Sequence, residues 1–199
     1  MMQTPRVFAK RCVDIFLSSL GLSLLFPIIF FSWAVARIDT QASGMFTQVR
    51  IGKDGRPFGI LKIRTMRRLP GAVTTISVRG DPRITLVGQV FRTLKVDELP
   101  QLWNVLVGEM SLVGPRPDVP GYADQLTGRE RMILTVRPGI TGPAQLAYRG
   151  EEALLARQAN PELYNDEVIW PEKVKINLNY VNNWTLVGDF RYLWKTIIR

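Results

Sequence analysis

The chain has 199 residues, and its 26 Lys and Arg outnumber its 17 Asp and Glu for a net charge of +9. With no histidine and a single cysteine, His-based triads, His zinc sites and an intrachain disulfide framework are excluded, so acid–base and nucleophilic work falls to carboxylates, lysine, tyrosine or hydroxyls. A bound metal would be hard and oxygen-liganded, with Mg²⁺ first, and the length supports one modest domain beside any membrane segment.

From Cys12 to Ala36 runs an apolar segment whose one charge is Asp14, long enough to meet the roughly 30 Å hydrocarbon core of a bilayer. Pro27 removes a helix hydrogen bond just past its middle. Basic residues flank both ends (Arg6, Lys10 and Arg11 before; Arg37, Arg50 and Lys53 after), which favours both ends on the cytoplasmic side. The expectation is a re-entrant helix that bends near Phe26-Pro27, with Ser23 or Ser19 serving the carbonyls freed there; Arg37 and Arg50 would face lipid. A bitopic anchor and a signal peptide ending at Ala34-Val35-Ala36 are the competing readings.

Phe46, Val49 and Ile51, then Gly52-Lys-Asp-Gly55, then Phe58, Ile60 and Ile63 predict a β-hairpin whose second strand carries Lys62 and Arg64 on one face. Residues 66–83 read as a loop, and 84–95 and 100–107 as helices. The basic surplus is local: residues 50–95 hold 11 basic and two acidic residues, a difference equal to the whole net charge. That block feeds directly into Asp97-Glu98.

Leu99, Leu102, Trp103 and Leu106 recur at helical spacing, so an amphipathic helix runs to about Gly108, with Pro100 in its first turn and Asp97 at or beside the N-cap. Taken alone, an Asp-Glu pair there caps the helix and complements its dipole. A basic block leading into the pair points instead to anionic groups brought to carboxylates. Gly114 to Pro120 is a stiff connection holding Arg116 between Pro115 and Pro117. Residues 122–134 and 151–158 are predicted helices flanking the turn at Pro138-Gly-Ile-Thr-Gly-Pro143. At the C-terminus Phe190, Leu193, Trp194, Ile197 and Ile198 line one side of a helix opposite Arg191, Lys195 and Arg199, a pattern that suits a helix on anionic lipid and equally one packed on the core. The fold class expected is α+β, predominantly helical with a small hairpin, divided into a membrane helix over 1–40 and a cytoplasmic catalytic domain over 41–199.

Asp97-Glu98-Leu-Pro-Gln-Leu-x-Asn-Val-Leu-x-Gly-x-Met-Ser-Leu-Val-Gly-Pro-Arg-Pro, with Lys62-Ile-Arg64-Thr-Met upstream, Asp81-Pro-Arg83-Ile-Thr between and Pro138-Gly-Ile-Thr-Gly downstream, resembles the bacterial sugar transferases known as monotopic phosphoglycosyl transferases. The resemblance spans nearly the whole chain. It implies transfer of a sugar 1-phosphate from a UDP-sugar to undecaprenyl (polyprenyl) phosphate with release of UMP, the first step in building a surface glycan or glycoconjugate. It also implies a re-entrant helix in the bacterial inner membrane, a catalytic domain facing the cytoplasm, and a covalent aspartyl intermediate. Asp97 matches the family nucleophile and Glu98 would hold Mg²⁺, which lets two adjacent carboxylates stay ionised. Arg92, Arg116 and Arg149 are candidates for clamping phosphate oxygens, followed by Lys62, Arg64 and Arg83.

Three positions depart from the family pattern: Phe26 stands where a serine commonly precedes the kink proline, Ala147-Tyr148-Arg149 replaces Asn-Gly-Arg, and Asn177 replaces an aspartate. A nucleic-acid-binding protein would explain the basic block, but the block lacks aromatic interleaving and leaves the apolar segment unexplained. A non-catalytic membrane scaffold leaves Asp97-Glu98 and Gly114-Pro-Arg-Pro117 as coincidence. The partners expected are the nucleotide-sugar donor, the lipid acceptor and membrane phospholipids, and no nucleic acid. Which sugar is carried is left to residues 66–80 and 118–160, and a homodimer is left open.

Overall fold

A computed structural model describes residues 4–67 and 81–198, so most of the loop expected over 66–83 lies outside the described residues. The protein is mostly helical, with one long apolar N-terminal helix and a small antiparallel sheet. Helix α1 (Thr4–Thr40) is the only described helix long and apolar enough to cross a membrane by length and composition. Pro27 does not end it; the helix runs through the proline. The Ser23 hydroxyl donates to the Ser19 carbonyl at 3.0 Å, so it serves the preceding turn rather than its own carbonyl, the one Pro27 leaves without a backbone donor.

The two arms of α1 are both tied to the domain. In the first, Lys10 Nζ reaches the Val113 carbonyl (2.9 Å) and Asp189 (2.5 Å), and Arg11 donates to the Val105 and Leu106 carbonyls (2.6 and 2.8 Å). Asp14, the lone charge of the apolar segment, is buried and accepts from the Leu112 amide at 3.0 Å. An unpartnered carboxylate in that setting would cost several kcal/mol, so the contact explains how the segment tolerates it. In the second arm Ser32, Ala36 and Thr40 are buried. Between the arms Leu24, Phe26, Ile28, Phe30 and Phe31 are exposed, an apolar surface with no protein cover.

The hairpin forms as its alternation requires: β1 (Met45–Ile51) pairs antiparallel with β2 (Pro57–Ile63), and Asp54 and Gly55 turn the chain with positive φ. Helix α2 (Leu86–Leu94) is capped by Thr85, whose hydroxyl accepts from the Gly88 amide, and α3 (Gln101–Val107) follows from Pro100. A second, parallel pair was not foreseen: β3 (Ser111–Val113) lies beside β4 (Gly139–Thr141). Three-residue strands give too short an alternation to register as a pattern. Glycine permits the approach, because a Cβ at Gly139 would collide with the Gly114 backbone.

Short helices α4 (Pro143–Ala147), α5 (Glu151–Leu155) and α6 (Pro161–Tyr164) lead through a π-helical turn into α7 (Trp170–Asn182), and α8 (Leu186–Ile197) closes the chain. The helix expected over 122–134 is instead two 3-10 turns, Ala123–Gln125 and Glu130–Thr135, separated by Gly128 at φ 55°. One core joins Ile60, Val105, Met110, Leu112, Val113, Tyr180 and Trp184, and a second joins Ile51, Ala123, Ile133, Leu134 and Val174. In helix α8, Leu193 and Tyr192 pack on the first core while Val187, Phe190, Trp194 and Ile197 are exposed.

Candidate active site

Between α2 and α3 the chain reverses at Lys95, whose φ of 59° is left-handed. For a residue with a Cβ that conformation costs about 1–2 kcal/mol, and it sets up the 3-10 turn Val96–Glu98 that carries the carboxylate pair. Asp97 therefore does not cap α3, as its sequence position predicts; Pro100 occupies the N-cap and no side chain caps there. The side chain of Asp97 turns inward. It is buried, and its Oδ1 has no hydrogen-bond partner among the described residues. Burial, and then the charge of Glu98, raise the Asp97 carboxyl above its ordinary value, against the pull of Lys62, Lys95 and Arg92.

Glu98 is buried too, but partnered. Arg116 Nη2 donates to its Oε1 at 2.5 Å, and Lys62 Nζ lies 3.6 Å from the same oxygen. Burial alone would raise its carboxyl, yet Arg116, Lys62 and Lys95 hold it well below the usual carboxylate range. Lys62 is in turn pushed down to about 8, chiefly by burial and the nearby Arg116.

Each partner is placed by a local lock. Asn104 of α3 accepts from the Leu61 amide (3.0 Å) and donates to the Gly59 carbonyl (2.8 Å), fastening β2 to α3 so that Lys62 meets Glu98. Arg116 leaves β3 between two prolines whose rings fix φ. The Gly114 amide donates to the Thr141 carbonyl (2.9 Å) and the Gly139 amide to the Pro115 carbonyl (2.8 Å), so the connection is pinned from both sides. Asn104 was missed as a site residue because a polar residue in an amphipathic helix reads as its solvated face.

Of the six cations expected at the site, Lys62 and Arg116 form the described ion pairs with Glu98. Arg92 pairs with Glu152 of α5, and its charge also acts on Asp97. Arg83 forks onto Asp81, with Nε at 2.9 Å from Oδ1 and Nη2 at 2.6 Å from Oδ2. Arg64, expected on one face with Lys62, turns to the start of the hairpin: Nε donates to the Ser43 carbonyl at 2.7 Å and the guanidinium lies over the Phe46 ring. It sits just past the end of β2, where the two-residue alternation no longer holds. Arg149 donates to the Lys195 carbonyl near the end of α8.

Arg50, expected to face lipid, instead points inward. It donates to the Pro117 carbonyl (3.3 Å) and to Gln48 (2.7 Å), and burial followed by Arg116 pushes its guanidinium down to about 10. Close by, burial pushes the Asp118 carboxyl up to about 6. Asn177 on α7 is buried, and its Oδ1 has no partner among the described residues.

The described geometry thus sets an unpartnered carboxylate oxygen beside a second carboxylate clamped by two cations, next to a long apolar helix. The chain belongs to the bacterial sugar transferase family, which matches residues 5–199. It is 34% identical to a UDP-glucose:undecaprenyl-phosphate glucose-1-phosphate transferase of Caulobacter vibrioides, over 97% of this chain and 71% of that protein. It is equally 34% identical to the exopolysaccharide production protein ExoY of Rhizobium meliloti, covering 95% of this chain and 84% of the relative. A UDP-N-acetylgalactosamine-undecaprenyl-phosphate N-acetylgalactosaminephosphotransferase of Aeromonas hydrophila matches at 34% over 96% of this chain, which spans 43% of that longer protein.

Proposed function

We propose that the protein transfers a sugar 1-phosphate from a UDP-sugar to undecaprenyl phosphate and releases UMP, through a covalent intermediate on Asp97. The observation that carries this reading is the buried, unpartnered Oδ1 of Asp97 beside a Glu98 already neutralised by Arg116 and Lys62. A buried polar atom left without a partner costs about 1–3 kcal/mol, and such a cost makes sense at an atom held ready for a reacting group. Asp97 attacks the phosphorus bearing the sugar; an Asp oxygen–phosphorus bond forms, the diphosphate bridge breaks, and UMP leaves with the bridging oxygen. An oxygen of the lipid phosphate then attacks the same phosphorus and the carboxylate is restored. One difficult displacement becomes two easier ones.

Mg²⁺ suits this donor set, because the ion takes one or two carboxylates, completes its shell with substrate phosphates and waters, and the described partners of Glu98 all engage Oε1. Glu98 would hold it, and when bound it would neutralise charge on the donor diphosphate. Arg116 and Lys62, paired with Glu98, would meet phosphate oxygens, and Arg92, whose charge acts on Asp97, would join them. Arg50 supports the Pro117 carbonyl from behind.

The topology fits a monotopic protein of the cytoplasmic face of the inner membrane, with residues 1–40 as a re-entrant anchor and 41–199 as the catalytic domain. Both arms of α1 contact the same domain while the stretch around Pro27 is apolar and exposed. Exposed apolar stripes on α2 (Leu86, Val90, Leu94), α3 (Trp103, Val107) and α8 (Val187, Phe190, Trp194, Ile197) suit contact with the lipid interface. Tags at residues 2 and 199 should both be shielded in intact cells and both accessible in inverted vesicles. Opposite exposure would mean that α1 crosses.

The deciding experiment is release of UMP from a panel of UDP-sugars in lipid, with and without Mg²⁺ and undecaprenyl phosphate. Release with at least one sugar, dependent on both additions, is the expected result; no release from any donor would overturn the proposal. A panel is required because relatives named for glucose and for N-acetylgalactosamine share the same 34% identity with this chain.

A further inference from the structure

Arg116 meets Glu98 through one nitrogen, and its guanidinium has a second grip. The partners of the Gln145 amide, on α4, assign its orientation: with its nitrogen on the Ile140 carbonyl (2.7 Å) and its oxygen on Arg116 Nη1 (3.0 Å) both are satisfied, whereas the opposite orientation sets oxygen against oxygen and N–H against N–H. Nη2 of the same guanidinium donates to Glu98 at 2.5 Å. A single contact to a carboxylate leaves a guanidinium free to pivot, whereas contacts on both terminal nitrogens fix its plane. The support closes on itself: Ile140 belongs to β4, and β4 is hydrogen-bonded to Gly114 and Pro115, the connection from which Arg116 springs.

The residue type follows from the two partners. The Ile140 carbonyl needs a donor and Arg116 needs an acceptor, and a side-chain amide supplies both. An ionised glutamate could accept from Arg116 but not donate to Ile140. Asparagine is one methylene shorter. The Arg116 side chain is 33% exposed, and with Glu98 and Gln145 each taking one N–H, three of the five guanidinium N–H groups are left for another partner.

We propose that Gln145 is a positioning residue, fixing the Arg116 guanidinium between Glu98 and the backbone of β4 so that its remaining N–H groups meet the phosphate being transferred. This rests on the reading of Asp97 and Arg116 given above. Gln145 does not touch substrate; it acts through Arg116.

The test uses the full chain in lipid with a radiolabelled donor. Gln145→Met preserves volume and removes both hydrogen bonds; the thermal midpoint should fall by a few degrees, and kcat, measured well below that midpoint, should fall about 10- to 100-fold, the scale set by a misplaced catalytic group. Gln145→Glu keeps an acceptor for Arg116 and should recover part of that loss. In a cycle with Arg116→Lys, the double variant should be no slower than Arg116→Lys alone, because both changes act on one group. A Gln145→Met enzyme at wild-type kcat, equal losses in the Met and Glu variants, or losses that multiply in the double variant would each overturn the assignment. Turnover by Asp97→Asn would instead overturn the reading of the site, so the two failures are distinguishable.

Discussion

Replacing Asp97 by Asn should lower turnover at least about 10⁴-fold, the scale on which removal of a covalent nucleophile acts, and should abolish transfer of labelled sugar-phosphate onto the protein. An amide of the same shape cannot form the acyl phosphate. The same substitution should leave the thermal midpoint unchanged or raise it, because the wild-type carboxylate is buried, lacks a partner at Oδ1 and lies beside the charge of Glu98. Lost activity with preserved or improved stability separates a reacting group from a structural one. Wild-type kinetics should be ping-pong, with UMP released before the lipid acceptor reacts. Turnover by Asp97→Asn within about tenfold of wild type would remove the covalent mechanism, since no neighbouring carboxylate could replace Asp97 at so small a loss.

The sequence made some of this legible and not the rest, and the division has a physical basis. Helices α2 and α3 and the β1–β2 hairpin carry enough repeats of their own period to be read, and they land within a few residues of their expected limits. The β3–β4 pair does not, since its stability comes from the close approach of Gly114 and Gly139, a contact between segments distant in sequence. Lys62 and Arg116 reach Glu98 because each is fixed by an element packed beside it. Arg64 and Arg149 carry the same charge in equally suggestive motifs, yet they spend it on the Ser43 and Lys195 carbonyls. Motif spacing reports residue type, and only packing decides which cation faces the carboxylates. Asp14 shows the converse: a charge in an apolar run looks like a flaw until the Leu112 amide is found against it.

Glu98→Gln should be the most costly change to the site as a whole. Glu98 is the shared counter-ion of Arg116 and Lys62, and its side chain is 8% exposed. Its amide would still accept a hydrogen bond from Arg116 but would leave two cations close together with only the more weakly acting charges of Asp97 and Asp118 to offset them. The expected loss of stability is about 2–3 kcal/mol, under the roughly 3–5 of a fully buried pair because Arg116 is partly solvated. The pH dependence has a definite sign. Glu98 is held below its ordinary value in the folded protein, so its contribution is present in full above the pKa it has when unfolded and is lost as the pH falls towards the lower folded value. The gap in thermal midpoint between wild type and Glu98→Gln should therefore be largest at neutral pH and narrow below about 4.3, the ordinary glutamate pKa. Activity should fall at neutral pH as well, with Mg²⁺ dependence weakened, because the group that orients Arg116 and would hold the ion has lost its charge. A variant with wild-type midpoint across the pH range would mean that Arg116 and Lys62 are neutralised by some other group, and Glu98 would lose its place at the centre of the site.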